Sequence, residues 1–211
     1  PSGSILCALE LRCVPFLSSS LPLLLHSASA TTVDAVRKGI VEQLAKLVRV
    51  VRLHVRPYLP PLLGLIQEHL RVHSALLIAC VALFEELCAA LKEEMAPHLP
   101  TILPKLLALL HADRSEARPA ARRVLSALAR VGAQLQEHTT VVVPALLRLA
   151  ELVEAPLALR RHAVLLLAHL FVRLPMRSHA ARAMHVTLRF TLTDPPPNPP
   201  PSIPSFNPLL Q

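Results

Sequence analysis

From Pro97 to Leu135 the chain reads PHLPTILPKLLALLHADRSEARPAARRVLSALARVGAQL, and its apolar positions recur at intervals of three and four. Leu99, Ile102, Leu103, Leu106, Leu107, Leu109 and Leu110 keep this period, and Val124, Leu125, Leu128, Val131 and Leu135 resume it. That interval belongs to an α-helix, whereas a half-buried strand alternates at two. Between the runs, Ala112-Asp113-Arg114-Ser115-Glu116 is polar enough for a turn, with Asp113 or Ser115 placed to cap the second helix. An amphipathic helix has to bury its stripe against a neighbour.

The neighbours are copies. Tyr58-Leu59-Pro60, His98-Leu99-Pro100, His138-Thr139-Thr140 and His179-Ala180-Ala181 share one register, at steps of 40, 40 and 41 residues. Pro104 and Pro144 each stand six residues further on, ahead of an apolar run. Phe16-Leu17, with Pro22 and then Leu23 to Leu25, is a degraded copy 42 residues before Tyr58. A basic residue opens the second helix of several units: Arg37, Arg118 and Arg160. A sustained period near 40 with two helices per unit predicts an all-α fold, a right-handed α-solenoid of HEAT- or armadillo-type hairpins. About five units are expected over residues 1–193, at roughly 5–53, 54–93, 94–136, 137–176 and a partial 177–193.

Unit by unit, a long helix is predicted over Val33 to Leu53, with Val36, Ile40, Leu44, Leu47 and Val51 on one stripe. The next unit pairs Leu59–Leu70 with Ser74–Leu91, and the fourth pairs Val141–Leu152 with Leu159–Leu174. Ser74–Leu91 is apolar over most of its circumference (Leu76, Leu77, Ile78, Val81, Leu83, Phe84, Leu87), as a helix covered on several sides would be. His179 to Leu192 supplies a first helix only. Residues 194–211 then form a proline-rich tail, which cannot continue a helix and reads as polyproline-like or disordered, with a P-x-x-P ligand for an SH3-type domain as its functional reading.

Composition narrows the class. With 53% hydrophobic residues, 3% aromatic, four Gly and no Trp, sheets are disfavoured. Charged residues and histidines interrupt every apolar run short of the ~18 needed to cross a bilayer, so no transmembrane segment is expected. Leu21 to Leu25 is too short for a secretory signal and follows no basic cluster. The chain opens on Pro1 inside a partial repeat, which is the expectation for a fragment. Cys7, Cys13, Cys80 and Cys88 lack C-x-x-C spacing and read as buried free thiols of a reducing compartment.

No catalytic, cofactor or metal site emerges. Glycine stands only at Gly3, Gly39, Gly64 and Gly132, too sparse for a phosphate-cradling loop. His111-Ala112-Asp113 resembles a kinase catalytic triplet only superficially, for it lacks the central Arg and the downstream Asn. His98, His138 and His179 fall one per unit, at helix-packing distances of about 10 Å, whereas zinc–nitrogen bonds span about 2.0–2.1 Å. His162 and His169 lie two turns apart. The net charge of +8 draws on Arg114, Arg118, Arg122, Arg123, Arg130, Arg160 and Arg161, a candidate basic ridge for an acidic surface; scarce aromatics argue against nucleic acid as the partner.

Beside this reading stands a resemblance. Cys13-Val14-Pro15-Phe16-Leu17, His54-Val55-Arg56-Pro57-Tyr58 and the run to Gln67-Glu68 are similar, in order and spacing, to the HEAT-repeat region of the target of rapamycin (TOR) kinases, within the PI3K-related kinase family. So are Leu99-Pro100-x-Ile102-Leu103-Pro104, Asp113-x-Ser115, Val131-Gly132-Ala133-x-Leu135, and Val142 to Leu149 leading to Glu154-Ala155-Pro156-Leu157. The similarity fades after Arg173, and nothing from Pro195 onward resembles the family. It implies a segment of a serine/threonine kinase in nutrient-responsive growth signalling, with the kinase domain downstream. It also implies a raptor-like regulatory subunit, self-association and a cytoplasmic location, at endomembrane surfaces through the parent complex. An independent HEAT-type adaptor, transport-receptor-like or nucleic-acid-associated, is the alternative.

Overall fold

The computed structural model describes residues 10–173 together with 184, 185 and 188. Among these, eight α-helices run as four successive hairpins: α1 (Leu17–Ala30) with α2 (Asp34–Val51), α3 (Leu59–His69) with α4 (Leu77–Leu91), α5 (Leu99–Ala112) with α6 (Pro119–Val131), and α7 (Thr139–Glu151) with α8 (Leu157–Arg173). The described residues contain no strand. Each second helix packs on the second helix of the next unit, α2 on α4, α4 on α6 and α6 on α8, and within hairpins each first helix packs on its own partner. One continuous apolar core runs from Cys13 to Leu170 between the two rows. The fifth partial unit and the proline-rich tail lie outside the described residues, apart from Met184, His185 and Leu188.

A repeated device joins each hairpin to the next. Seven-residue 3-10 segments precede the first helices at Glu10–Phe16, Arg52–Tyr58, Lys92–His98 and Gly132–His138. The last three begin at positive φ, with Arg52 at 49°, Lys92 at 47° and Gly132 at 42°, forty residues apart. Three residues on, Val55, Met95 and Leu135 are each fully buried. Tyr58, His98 and His138 close the three segments, so the register read from the sequence marks equivalent places in the fold. Helix boundaries move accordingly: the helix expected over Val33 to Leu53 stops at Val51, and that expected from Ser74 starts at Leu77.

Two local expectations are corrected. Val36 is 53% exposed, and the buried stripe of α2 is Val41, Leu44, Ala45, Leu47, Val48 and Val51. The shift follows from α2 meeting both α1 and α4, which a single stripe cannot serve. Secondly, the Glu10–Phe16 segment continues into α1, so Leu11–Ala30 is a 20-residue helical run with mean hydropathy 1.2, long and apolar enough to cross a membrane by length and composition. Leu17 and Leu21 of that run are buried in the common core.

Candidate interaction surface

The α5–α6 turn shows how local chemistry fixes a hairpin. Pro119 occupies the first turn of α6, where its missing N–H costs nothing, and it disfavours right-handed helical geometry at Arg118, which sits at φ 42°, ψ 56°. The remaining orphan donors go to Asp113. Its Oδ2 accepts from the backbone N–H of Ala120 at 3.0 Å and Ala121 at 3.3 Å, and its Oδ1 accepts from the Ser115 hydroxyl at 2.6 Å and the Ser115 N–H at 3.2 Å. Burial alone would push this carboxyl up. The Ser115 hydroxyl and three backbone N–H groups outweigh it and hold the pKa below the ordinary value. Asp113 is thereby committed to capping.

Charge is concentrated between second helices. Glu85 and Glu86 of α4 are both buried, Glu85 to 1% exposure. Glu85 Oε2 accepts from Arg123 Nη2 at 2.7 Å and Arg130 Nη1 at 2.9 Å, both on α6. Glu86 Oε1 accepts from Arg49 Nη2 of α2 at 2.7 Å and lies 3.7 Å from Arg130 Nη2. Three consecutive units are therefore tied through two adjacent carboxylates. Burial raises the Glu85 pKa, and Arg123 and Arg130 pull it back without cancelling that rise. The guanidinium groups stay wetter, with the Arg123 and Arg130 side chains 32% and 54% exposed.

This sorts the candidate ridge. Arg123 and Arg130 face Glu85, and Arg118 is buried at the head of α6. Arg160 Nε donates to the Ala150 carbonyl at 2.9 Å, tying α8 to the end of α7. Arg37 likewise donates to the Thr31 carbonyl, so basic residues at the head of second helices bond the chain just before the turn. Arg114, Arg122 and Arg161 are exposed. Sequence reasoning missed Glu85 and Glu86, two acids inside the apolar run Leu77 to Leu91; their adjacency in such a run was the available signal. Cys13, Cys80 and Cys88 are buried, and the thiols of Cys80 and Cys88 are free. Burial pushes the Cys80 thiol up to about 12, and Glu68 adds to this, so thiolate chemistry is suppressed.

Two clefts open on the outside of this frame. One, of about 650 Å³, lies between the Arg52–Tyr58 and Lys92–His98 segments. The other, of about 500 Å³, separates the first helices α5 and α7; Leu107, His111, Val141, Ala145 and Arg148 are among its walls. Burial holds the His111 imidazole below its ordinary pKa, with Arg148 and Arg118 adding, against a backbone hydrogen bond at Ala145.

Over 186 residues the chain is 33% identical to the serine/threonine-protein kinase TOR of Arabidopsis thaliana, a match covering 84% of this chain and 7% of that protein. The chain is a homologue of one segment of the TOR serine/threonine kinases. It is 28% identical over 188 residues to the mTor kinase of Drosophila melanogaster, covering 89% of the chain and 8% of that kinase. With TOR2 of Saccharomyces cerevisiae it shares 29% over 146 residues, covering 68% of the chain and 6% of that protein. The chain thus spans less than a tenth of the length of these TOR relatives. No family model matches it.

Proposed function

We propose that this TOR-like segment is a non-catalytic helical scaffold of a serine/threonine kinase in nutrient-responsive growth signalling, cytoplasmic, docking a raptor-like regulatory subunit and supporting dimer architecture. The observation that carries the reading is a regular repeat in a chain related to TOR. The hairpins repeat every forty residues, and TOR kinases of plant and insect align with 84% and 89% of the chain. Phosphoryl transfer, in this reading, belongs to a different part of the parent, since it needs a Gly-rich loop and Mg²⁺-holding Asp and Asn groups. The one triplet of kinase-like spelling ends in Asp113, whose two oxygens already accept four hydrogen bonds from its own turn and from α6.

Within such a scaffold, Arg114 and Arg122 are the part of the basic ridge open to an acidic surface. Binding there would fall steeply with salt, and a flat salt dependence removes that element. The parentage is tested by full-length transcript sequencing. A reading frame continuing into a kinase domain supports the proposal, and an authentic stop after Gln211 behind an upstream Met overturns it. Cross-linking of the complete kinase then identifies the subunit docked on this segment.

A further inference from the structure

The first helices are joined differently at two successive junctions. Between α3 and α5, Gln67 Nε2 donates to Thr101 Oγ1 at 3.5 Å, and Lys105 Nζ donates to the Gln67 carbonyl at 3.4 Å. Forty residues on, between α5 and α7, the equivalent positions hold Leu107, Val141 and Ala145. An amide, a hydroxyl and an ammonium have given way to two branched hydrocarbons and a methyl. All three replacements line the cleft of about 500 Å³. A volume of that size is in the range of protein ligand clefts. The cleft therefore lies where the polar cross-links of the preceding junction have no counterpart.

Its surface specifies a partner. Of its lining residues Val141 is 49% exposed and Leu107 is buried. Arg148, exposed at one end, stands where the preceding junction has Ala108. Among the described residues no carboxylate lines the cleft. Pro144 has no N–H to give the Thr140 carbonyl its usual helical bond, which leaves a backbone acceptor on the same wall. We infer that this cleft docks a short segment of a partner protein in which a branched or aromatic side chain stands beside a carboxylate. The apolar side chain rests on Val141, Leu107 and Ala145, the carboxylate meets Arg148, and a backbone N–H of the segment meets the Thr140 carbonyl. The net charge of +8 disfavours a second copy of the chain as occupant, and a nucleic acid would find one arginine and no Phe, Tyr or Trp to stack on, the half-buried His111 being the one ring on the walls.

The inference rests on the scaffold reading, for which it supplies the chemistry of one docking segment. The full chain, tethered at low density to a sensor surface, is offered short synthetic peptides pairing Leu or Phe with Asp or Glu. Two control sets replace the acid by its amide or the apolar residue by Ser. Binding is expected to weaken about tenfold in either control and about tenfold in Arg148→Glu. The triple variant Leu107→Gln, Val141→Thr, Ala145→Lys rebuilds the cross-link of the preceding junction and is expected to abolish binding while keeping the circular dichroism of the parent chain. Equal binding of the controls, an unaffected triple variant, a stronger response to phosphatidylserine-containing vesicles, or self-association of the chain that the triple variant abolishes would each overturn the inference. These outcomes are distinct from failure of the scaffold reading, which shows as a transcript without a kinase domain while the peptides still bind.

Discussion

Asp113 was one of two cap candidates readable before any coordinates, Ser115 being the other, because a short polar side chain in a turn ahead of an apolar period is a capping signal. It caps from six residues before Pro119, since the proline removes one donor and leaves Ala120 and Ala121 to be satisfied. Asp113→Ala should cost about 1 kcal/mol of unfolding free energy at neutral pH, measured by urea denaturation. The folded pKa lies below the unfolded one, so this stabilisation is full above the ordinary carboxylate value and disappears as pH falls through the folded value. The gap between variant and parent should therefore close in acid. Positions 52, 92 and 132 were not readable in this way. Gly132 suits φ 42° and ψ −97°, but Arg52 and Lys92 stand at the same place in their units with nearly the same angles, and nothing in their chemistry announces it. A Cβ on Gly132 would touch nothing within 4 Å, so any cost of Gly132→Ala is backbone strain alone, about 1–2 kcal/mol. Arg52→Gly and Lys92→Gly should each do the reverse and raise the denaturation midpoint, because relief of strain exceeds the added freedom of the unfolded chain.

Among the elements, α4 was legible as an inner helix from its apolar circumference, and it packs on α2, α3 and α6 as expected. One member of the expected set behaves differently. Ile78 is 40% exposed, and the space on that helix goes instead to Glu85 and Glu86. Counting apolar residues cannot reveal this, because the arginines that make the acids tolerable stand 37 to 45 residues away on other helices. The pair is asymmetric in its consequences. Glu85→Gln removes the buried charge and leaves two partly hydrated guanidinium groups, so its effect at neutral pH should stay within about 1 kcal/mol. Arg123→Met with Arg130→Met strands the buried carboxylate and should cost about 3 kcal/mol. With its folded pKa above the unfolded one, Glu85 binds protons more readily in the native state, so stability contributed by this group falls as pH rises from the ordinary carboxylate range through the raised value. Glu85→Gln should remove that slope, and the double arginine variant should recover in acid, both read from denaturation midpoints across pH.

At the scale of the whole molecule the forty-residue period was open to view because each unit solves one problem, burying a stripe, with the same two helices. The cleft between α5 and α7 was not, since it consists of polar partners that one junction has and the next lacks, and the Gln67–Thr101–Lys105 contacts must be seen before their replacement means anything. Among the described residues the row also leaves apolar surface on its first and last hairpins. On α8, Leu165 and Val172 stand seven residues apart on one face and are 68% and 88% exposed; at the other end Phe16 and Leu23 are 56% and 65% exposed. In a stacked array such faces are covered by a neighbouring unit, and repeats without a polar cap associate through them. The chain of 211 residues, prepared alone, should therefore be strongly helical yet self-associate with rising concentration. Because the exposed residues on α8 lie outside the common core, Leu165→Lys with Val172→Lys should shift the light-scattering mass toward the monomer without loss of far-ultraviolet circular dichroism. A parent chain that is monomeric at every concentration tested, with a single cooperative melt, would show that these faces need no neighbour.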